Sequence, residues 1–122
     1  MPEIIDMVDK VLADLKRVGG VEACAAASRD GLLIRAIMQK EEFAESFAAM
    51  SATMLGAAET ATTELGKGIP NRVIVESERG RLIAVGAGPR ALLIVLVSSD
   101  AGLGLILLEL ERAAQKLKEL IK

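Results

Sequence analysis

The residues able to do bond-making chemistry are few and poorly placed for it. The chain has no histidine, so the commonest general base and metal ligand is missing. Cys24 is the single cysteine, set among small apolar residues. With no partner thiol and no histidine, neither a zinc nor an iron–sulfur centre is expected. Cys24 reads as a small buried hydrophobe rather than as a reactive thiol. Gly66-Lys67-Gly68 has the outline of a phosphate loop, but glycine follows the lysine where serine or threonine belongs. Ala61 also stands in the place of the first loop glycine, so nucleotide hydrolysis by this chain is not expected. Gly86-x-Gly88-x-x-Ala91 echoes a dinucleotide fingerprint, yet a strand-like run, Leu92–Val97, follows it. No helix N-terminus is then available to hold a pyrophosphate, and a hairpin turn is the better reading.

The carboxylates and hydroxyls give no better constellation. Glu41, Glu42 and Glu45 stand in a predicted first helical turn, where they complement the helix dipole. Glu109 and Glu111 read as solvent contacts or ion-pair partners of Arg112. Ser28, Ser51, Ser77, Ser98 and Ser99 have no base to activate them. Arg29, Arg79, Arg81 and Arg90 fall on predicted turns, where an arginine can be lent to a partner's active site to stabilise phosphoryl transfer. The plainer reading of these four is that they keep exposed turns soluble.

Composition narrows the class of partner. Fifteen basic and seventeen acidic residues leave a formal net charge of -2 with no basic block, so nucleic acid is not expected. Phe43 and Phe47 are the only aromatics, too few for base-stacking platforms. The longest apolar run, Ala91–Val97, is far below the ~20 residues that span a bilayer. The N-terminal residues Met1, Pro2, Glu3 and Ile4 show neither a basic start nor a cleavage site, so no signal peptide is expected. A lone cysteine fits a reducing cytoplasm. The 122 residues are expected to form one domain, and 52% hydrophobic content is much for so small a body to hide. Self-association is the natural outlet.

The elements that position these residues follow from periodicity. Glu3–Val18 reads as a helix, with Ile4, Ile5, Val8, Val11, Leu12 and Leu15 on one face, Pro2 before its first turn and Gly19-Gly20 ending it. Val21–Ala27 and Leu32–Met38 are strands joined by Ser28-Arg29-Asp30-Gly31, a tight-turn sequence. Glu41–Leu65 is a long alanine-rich helix. Phe43, Phe47, Met50, Met54, Ala57, Ala61 and Leu65 form one stripe of it; Ala48, Ala52, Leu55, Ala58 and Thr62 form a second, mostly small face. Arg72–Ser77, Leu82–Val85 and Ala91–Val97 make a three-strand meander. Ser98-Ser99-Asp100 then offers caps for a last amphipathic helix carrying Leu103, Ile106, Leu107, Leu110, Ala114, Leu117 and Ile121. Strands one and five are apolar on both faces and belong in the centre of a sheet; strands two and three suit its edges. The expected fold is α/β, a five-stranded mostly antiparallel sheet of order 2-1-5-4-3. Helices one and three lie on one face and helix two on the other.

That order resembles the roadblock/dynein light chain family, as do several local phrases. They are Gly20-Val21-Glu22-Ala23 leading to Ser28-Arg29-Asp30-Gly31-Leu32, the alanine-rich helix, Val73-Ile74-Val75-Glu76 before a turn glycine, and Leu103-Gly104 opening the final helix. The resemblance implies a dimer in which strand three pairs with its mate and the second helices pack side by side. It further implies no catalytic centre, no cofactor, and a role regulating or scaffolding a Ras-like small GTPase. Two features of the residues agree. Strand three, Arg72, Val73, Ile74, Val75 and Glu76, lacks the proline or lysine that discourages edge pairing. The small face of helix two, Ala48, Ala52, Leu55, Ala58 and Thr62, would admit a neighbouring helix closely, although helix propensity alone also accounts for its alanines. The expected function is a homodimeric GTPase regulator or scaffold. Its alternatives are a structural adaptor indifferent to nucleotide state and, less favoured because alanine and methionine pack closely, a small-ligand sensor.

Overall fold

Hydrophobic period sets the elements, and tertiary packing trims their ends. The computed structural model describes residues 3–122; Met1 and Pro2 lie outside the described residues, and with them the helix-start role expected of Pro2. The elements run α1 (Ile4–Lys16), β1 (Val21–Ser28), β2 (Leu33–Ile37), a 3₁₀ turn (Glu41–Phe43), α2 (Ala44–Glu64), β3 (Val73–Ser77), β4 (Gly80–Ala87), β5 (Ala91–Ser98) and α3 (Leu103–Leu120). Every expected element is present. The long second helix opens with the 3₁₀ turn rather than being α-helical from Glu41.

The five strands form one antiparallel sheet of order β2-β1-β5-β4-β3. β1 and β5 are central and nearly wholly buried, as sequences apolar on both faces require. The β1–β2 turn is closed by Ser28 N–H donating to Leu32 O at 2.9 Å and Leu32 N–H donating to Ser28 Oγ at 3.1 Å. Gly31 adopts φ +90°, which a side chain there would strain.

Two cores flank the sheet. On one face α1 and α3 bury Val8, Leu12, Leu15, Ile106, Leu110 and Leu117 against Cys24, Ile83, Leu93 and Val95. Each fully buried large side chain contributes about 1.5–3 kcal/mol of transfer free energy. Ile4 and Ile5 share the stripe of α1 but remain exposed at its first turn. On the other face α2 lays Ala48, Ala52 and Leu55 over Ala25, Ala27, Ala84, Leu92 and Ile94. Alanine on both sides brings the helix close to the sheet, and a Cβ on Gly31 would stand 3.3 Å from Ala49 Cα.

The caps expected at Ser98-Ser99-Asp100 do not form. α3 starts from Gly102 with no side-chain cap. Ser98 instead closes the turn that leaves β5, its carbonyl accepting from Ala101 N–H at 3.2 Å. Glu109 pairs with Arg112, while Glu111 reaches away to Arg72 at the start of β3.

Candidate interaction surface

α2 and β3 together build an open apolar surface. At 1.5 Å per residue α2 is ~31 Å long. Its fully buried residues, Ala44, Ala48, Ser51, Ala52 and Leu55, all lie in the first part, and none follows Leu55.

The stripe opposite those residues is left open. Met50 is 72% exposed and Leu65 76%; Ala57 and Ala61 are exposed, and Phe47 and Met54 are half-buried where they meet the second core. The loop that follows adds Ile69, 75% exposed. Its glycines, Gly66 and Gly68, both hold positive φ and turn the chain from helix to strand.

β3 continues this apolar surface. Among the described residues it bonds to β4 alone, so its outer edge carries backbone donors and acceptors without a strand partner there. Val73 packs with α2, and Val75 stands opposite Leu82, which packs in the same cluster, so both share the α2 face. Ile74 stands opposite Ile83 on the face of α1 and α3. Ile74 and Val75 are both exposed.

These observations correct one expectation. Ala48, Ala52 and Leu55 do not face outward; they are closed against the chain's own sheet at 0%, 8% and 1% exposure. Small side chains minimise the distance between layers, so the helix turns them toward the sheet and leaves the bulkier stripe outside. Ala58 and Thr62 sit half-buried at the border between the two faces, Thr62 Oγ1 donating to Ala58 O at 3.1 Å. Arg72 is half-buried in its pair with Glu111, and Glu76 is exposed with Arg81 Nε 3.7 Å away.

The four turn arginines fall into two groups. Arg29 is committed to the fold: Nη1 donates to both Glu59 carboxylate oxygens at 2.9 and 3.0 Å, and Nη2 to Gly88 O at 2.9 Å. This ties the β1–β2 turn, α2 and the β4–β5 turn together. Arg81 is mostly covered and reaches Glu76 and, at 3.5 Å, the carbonyl of Ala101. Arg79 and Arg90 are exposed.

Cys24 is fully buried, and its Sγ–H donates to Leu12 O at 3.4 Å. Burial pushes the thiol from 9.0 up to about 11, opposed by the nearby charge of Lys16. A thiol so placed is a poor nucleophile. Among the described residues no group of three or more histidine, cysteine, aspartate or glutamate side chains is arranged to hold a metal ion, and no helix is long and apolar enough to cross a membrane.

Fold and surface together define a layered α/β interaction domain. The chain belongs to the Roadblock/LC7 domain family, whose model matches residues 7–97. That family comprises regulatory and adaptor domains. A relative, an uncharacterised protein of Methanocaldococcus jannaschii, is 35% identical over 112 residues, covering 92% of this chain and 97% of its own. Solved structures share the fold. Myxococcus xanthus MglB matches with a TM-score of 0.88 and 20% identity, over 100% of this chain and 96% of that one. A Roadblock/LC7 domain from Streptomyces avermitilis gives 0.85 and 22%, over 91% and 94%.

Proposed function

We propose that this chain acts as a single domain in the cytoplasm, as a homodimer that regulates or scaffolds a Ras-like small GTPase and catalyses nothing by itself. The observation that carries the reading is the open apolar surface running from the outward stripe of α2 onto the unpaired edge of β3. Antiparallel pairing of two β3 edges would extend the sheet, place the two uncovered α2 ends over it, and bury Met50, Leu65 and Val75. Family membership supports the GTPase as partner, because regulation of such enzymes needs only a binding surface. Arg29 and Arg81 are engaged within the chain, which leaves the exposed Arg79 and Arg90 as the arginines that could be lent to the GTPase.

The dimer is tested by light scattering on the wild type and Val75→Lys. Val75 is exposed, so the change leaves the protomer folded while placing charge on the edge. The wild type is expected at twice the chain mass and the variant at the chain mass; a wild-type monomer at micromolar concentration refutes the pairing. The partner is tested by capture with purified Ras-like GTPases of the same cell, loaded with GDP or a GTP analogue. Capture that depends on nucleotide is expected. Capture that ignores nucleotide would favour the adaptor, and no capture at all would remove the GTPase reading.

A further inference from the structure

We propose that the charges flanking β3 fix the register of the homodimer and make the pairing selective for a second copy of this chain. The two-fold axis falls at Ile74, with Arg72 set against the partner's Glu76 on either side of it. This rests on the β3 pairing proposed above. Side chains alternate along an extended chain, so Arg72, Ile74 and Glu76 share the face of α1 and α3. There Arg72, the residue before the strand, bonds to Glu111, and Glu76 stands opposite Arg81. Val73 and Val75 share the face of α2. Outward from Ile74, that first face is basic in one direction and acidic in the other.

Directly opposed side chains of an antiparallel pair point to the same face. A two-fold axis between two identical strands therefore passes through a residue, and only a few registers exist. Centred on Ile74, Arg72 meets the partner's Glu76, Val73 meets the partner's Val75, and Ile74 meets its own copy. Every opposed pair is then matched in polarity. Centred on Val73, Arg72 faces the partner's Ile74, and Glu76 faces the partner's Pro70. Centred on Val75, Ile74 faces the partner's Glu76; centred on Glu76, two carboxylates oppose each other. Like charges so opposed are destabilising.

Both members of the cross-strand pair have capacity to spare. Arg72 binds Glu111 through Nη2, and its Nε is buried with no hydrogen-bond partner among the described residues. The Glu76 side chain is 71% exposed, and Arg81 Nε lies 3.7 Å away, too far for a hydrogen bond. Pairing sets Glu111, Arg72, the partner's Glu76 and the partner's Arg81 in one row of alternating charge across the seam. Two-fold symmetry repeats the row, and neither copy carries a net charge. The same row that accepts a second copy penalises a strand lacking the pattern. Ile74, exposed in the single chain, is covered at the axis by its own copy.

Sedimentation equilibrium on the full chain tests the register with Arg72→Glu, Glu76→Arg and the two combined. Each single variant sets like charges against each other across its own homodimer, and its dissociation constant is expected to rise about tenfold or more. An equimolar mixture of the two single variants restores opposite charges at both positions and is expected to dimerise with roughly wild-type affinity. Arg72→Glu/Glu76→Arg in one chain is expected to do the same. Loss of the Arg72–Glu111 contact persists in the mixture, so rescue by mixing separates pairing from a structural role within the chain. Glu76→Arg, at an exposed position, carries the affinity test if Arg72→Glu misfolds. A wild-type monomer at micromolar concentration refutes the dimer itself, and the register with it. A wild-type dimer whose single variants associate as tightly as it does, or whose mixture is no tighter than either variant alone, overturns the register and leaves the pairing of β3 edges standing.

Discussion

Gly86 in β4 offers a sharp test of how Arg29 is held. An ideal Cβ at Gly86 would stand 2.4 Å from Arg29 Nη2, and the backbone there has no positive φ to oppose alanine. Gly86→Ala must therefore push the guanidinium away from Glu59 and from Gly88 O, where it makes three hydrogen bonds of 2.9–3.0 Å. Both partners of the ion pair are still about a quarter to a third exposed, at 30% and 25%. Screening reduces the worth of the set to about 2 kcal/mol, below the sum for three buried charge-assisted bonds. Against this, replacing a strand glycine with alanine gains about 0.5–1 kcal/mol from backbone entropy.

The net expectation is a loss of about 1–1.5 kcal/mol for Gly86→Ala in the wild type. In an Arg29→Ala background the obstructing atoms are gone and only the entropic gain remains, so the same change should stabilise. The sign reverses, and the coupling between the two positions is about 2 kcal/mol. Urea unfolding of the four proteins of this cycle, analysed by linear extrapolation, measures it. An equal effect of Gly86→Ala in both backgrounds would refute the role given to Arg29.

Two further outcomes follow from single buried groups. Ser51 is 1% exposed and its hydroxyl has no hydrogen-bond partner among the described residues, so Ser51→Ala should raise stability by about 1 kcal/mol in the same urea assay; a loss of stability would show that the hydroxyl is satisfied. Cys24, with its thiol raised to about 11, should resist maleimide at pH 8 in the folded protein and react only on unfolding. The folded state holds this proton more tightly than the unfolded one. Its contribution to stability is thus complete below about pH 9 and is lost as pH rises toward 11, a loss that Cys24→Ala should lack. A native thiol that labels as fast as the unfolded one refutes the burial argument.

Much of this protein is legible without coordinates, because its decisive signals are local. Period-2 and period-3.6 patterns mark the strands and helices, Ser28-Arg29-Asp30-Gly31 marks its turn, and apolar runs on both faces put β1 and β5 at the centre. From the central pair and the two hairpin connections, the strand order follows. The likeness of Glu109, Glu111 and Arg112 to a helical ion-pair set was readable too, but Glu111 pairs across the fold with Arg72, a partner far away in the chain.

What the amino-acid sequence determined by itself was the kind of protein: a layered α/β domain with an unguarded edge at β3. What only the tertiary structure decided was which side of α2 meets the sheet. Both faces of that helix are apolar, so pattern alone leaves the choice open. Packing settles it, because Ala48 and Ala52 can approach Ala25, Ala27 and Ala84 where Met50 and Leu65 cannot. The same long-range geometry drew Arg29 into the fold, a pairing that leaves no mark in neighbouring residues.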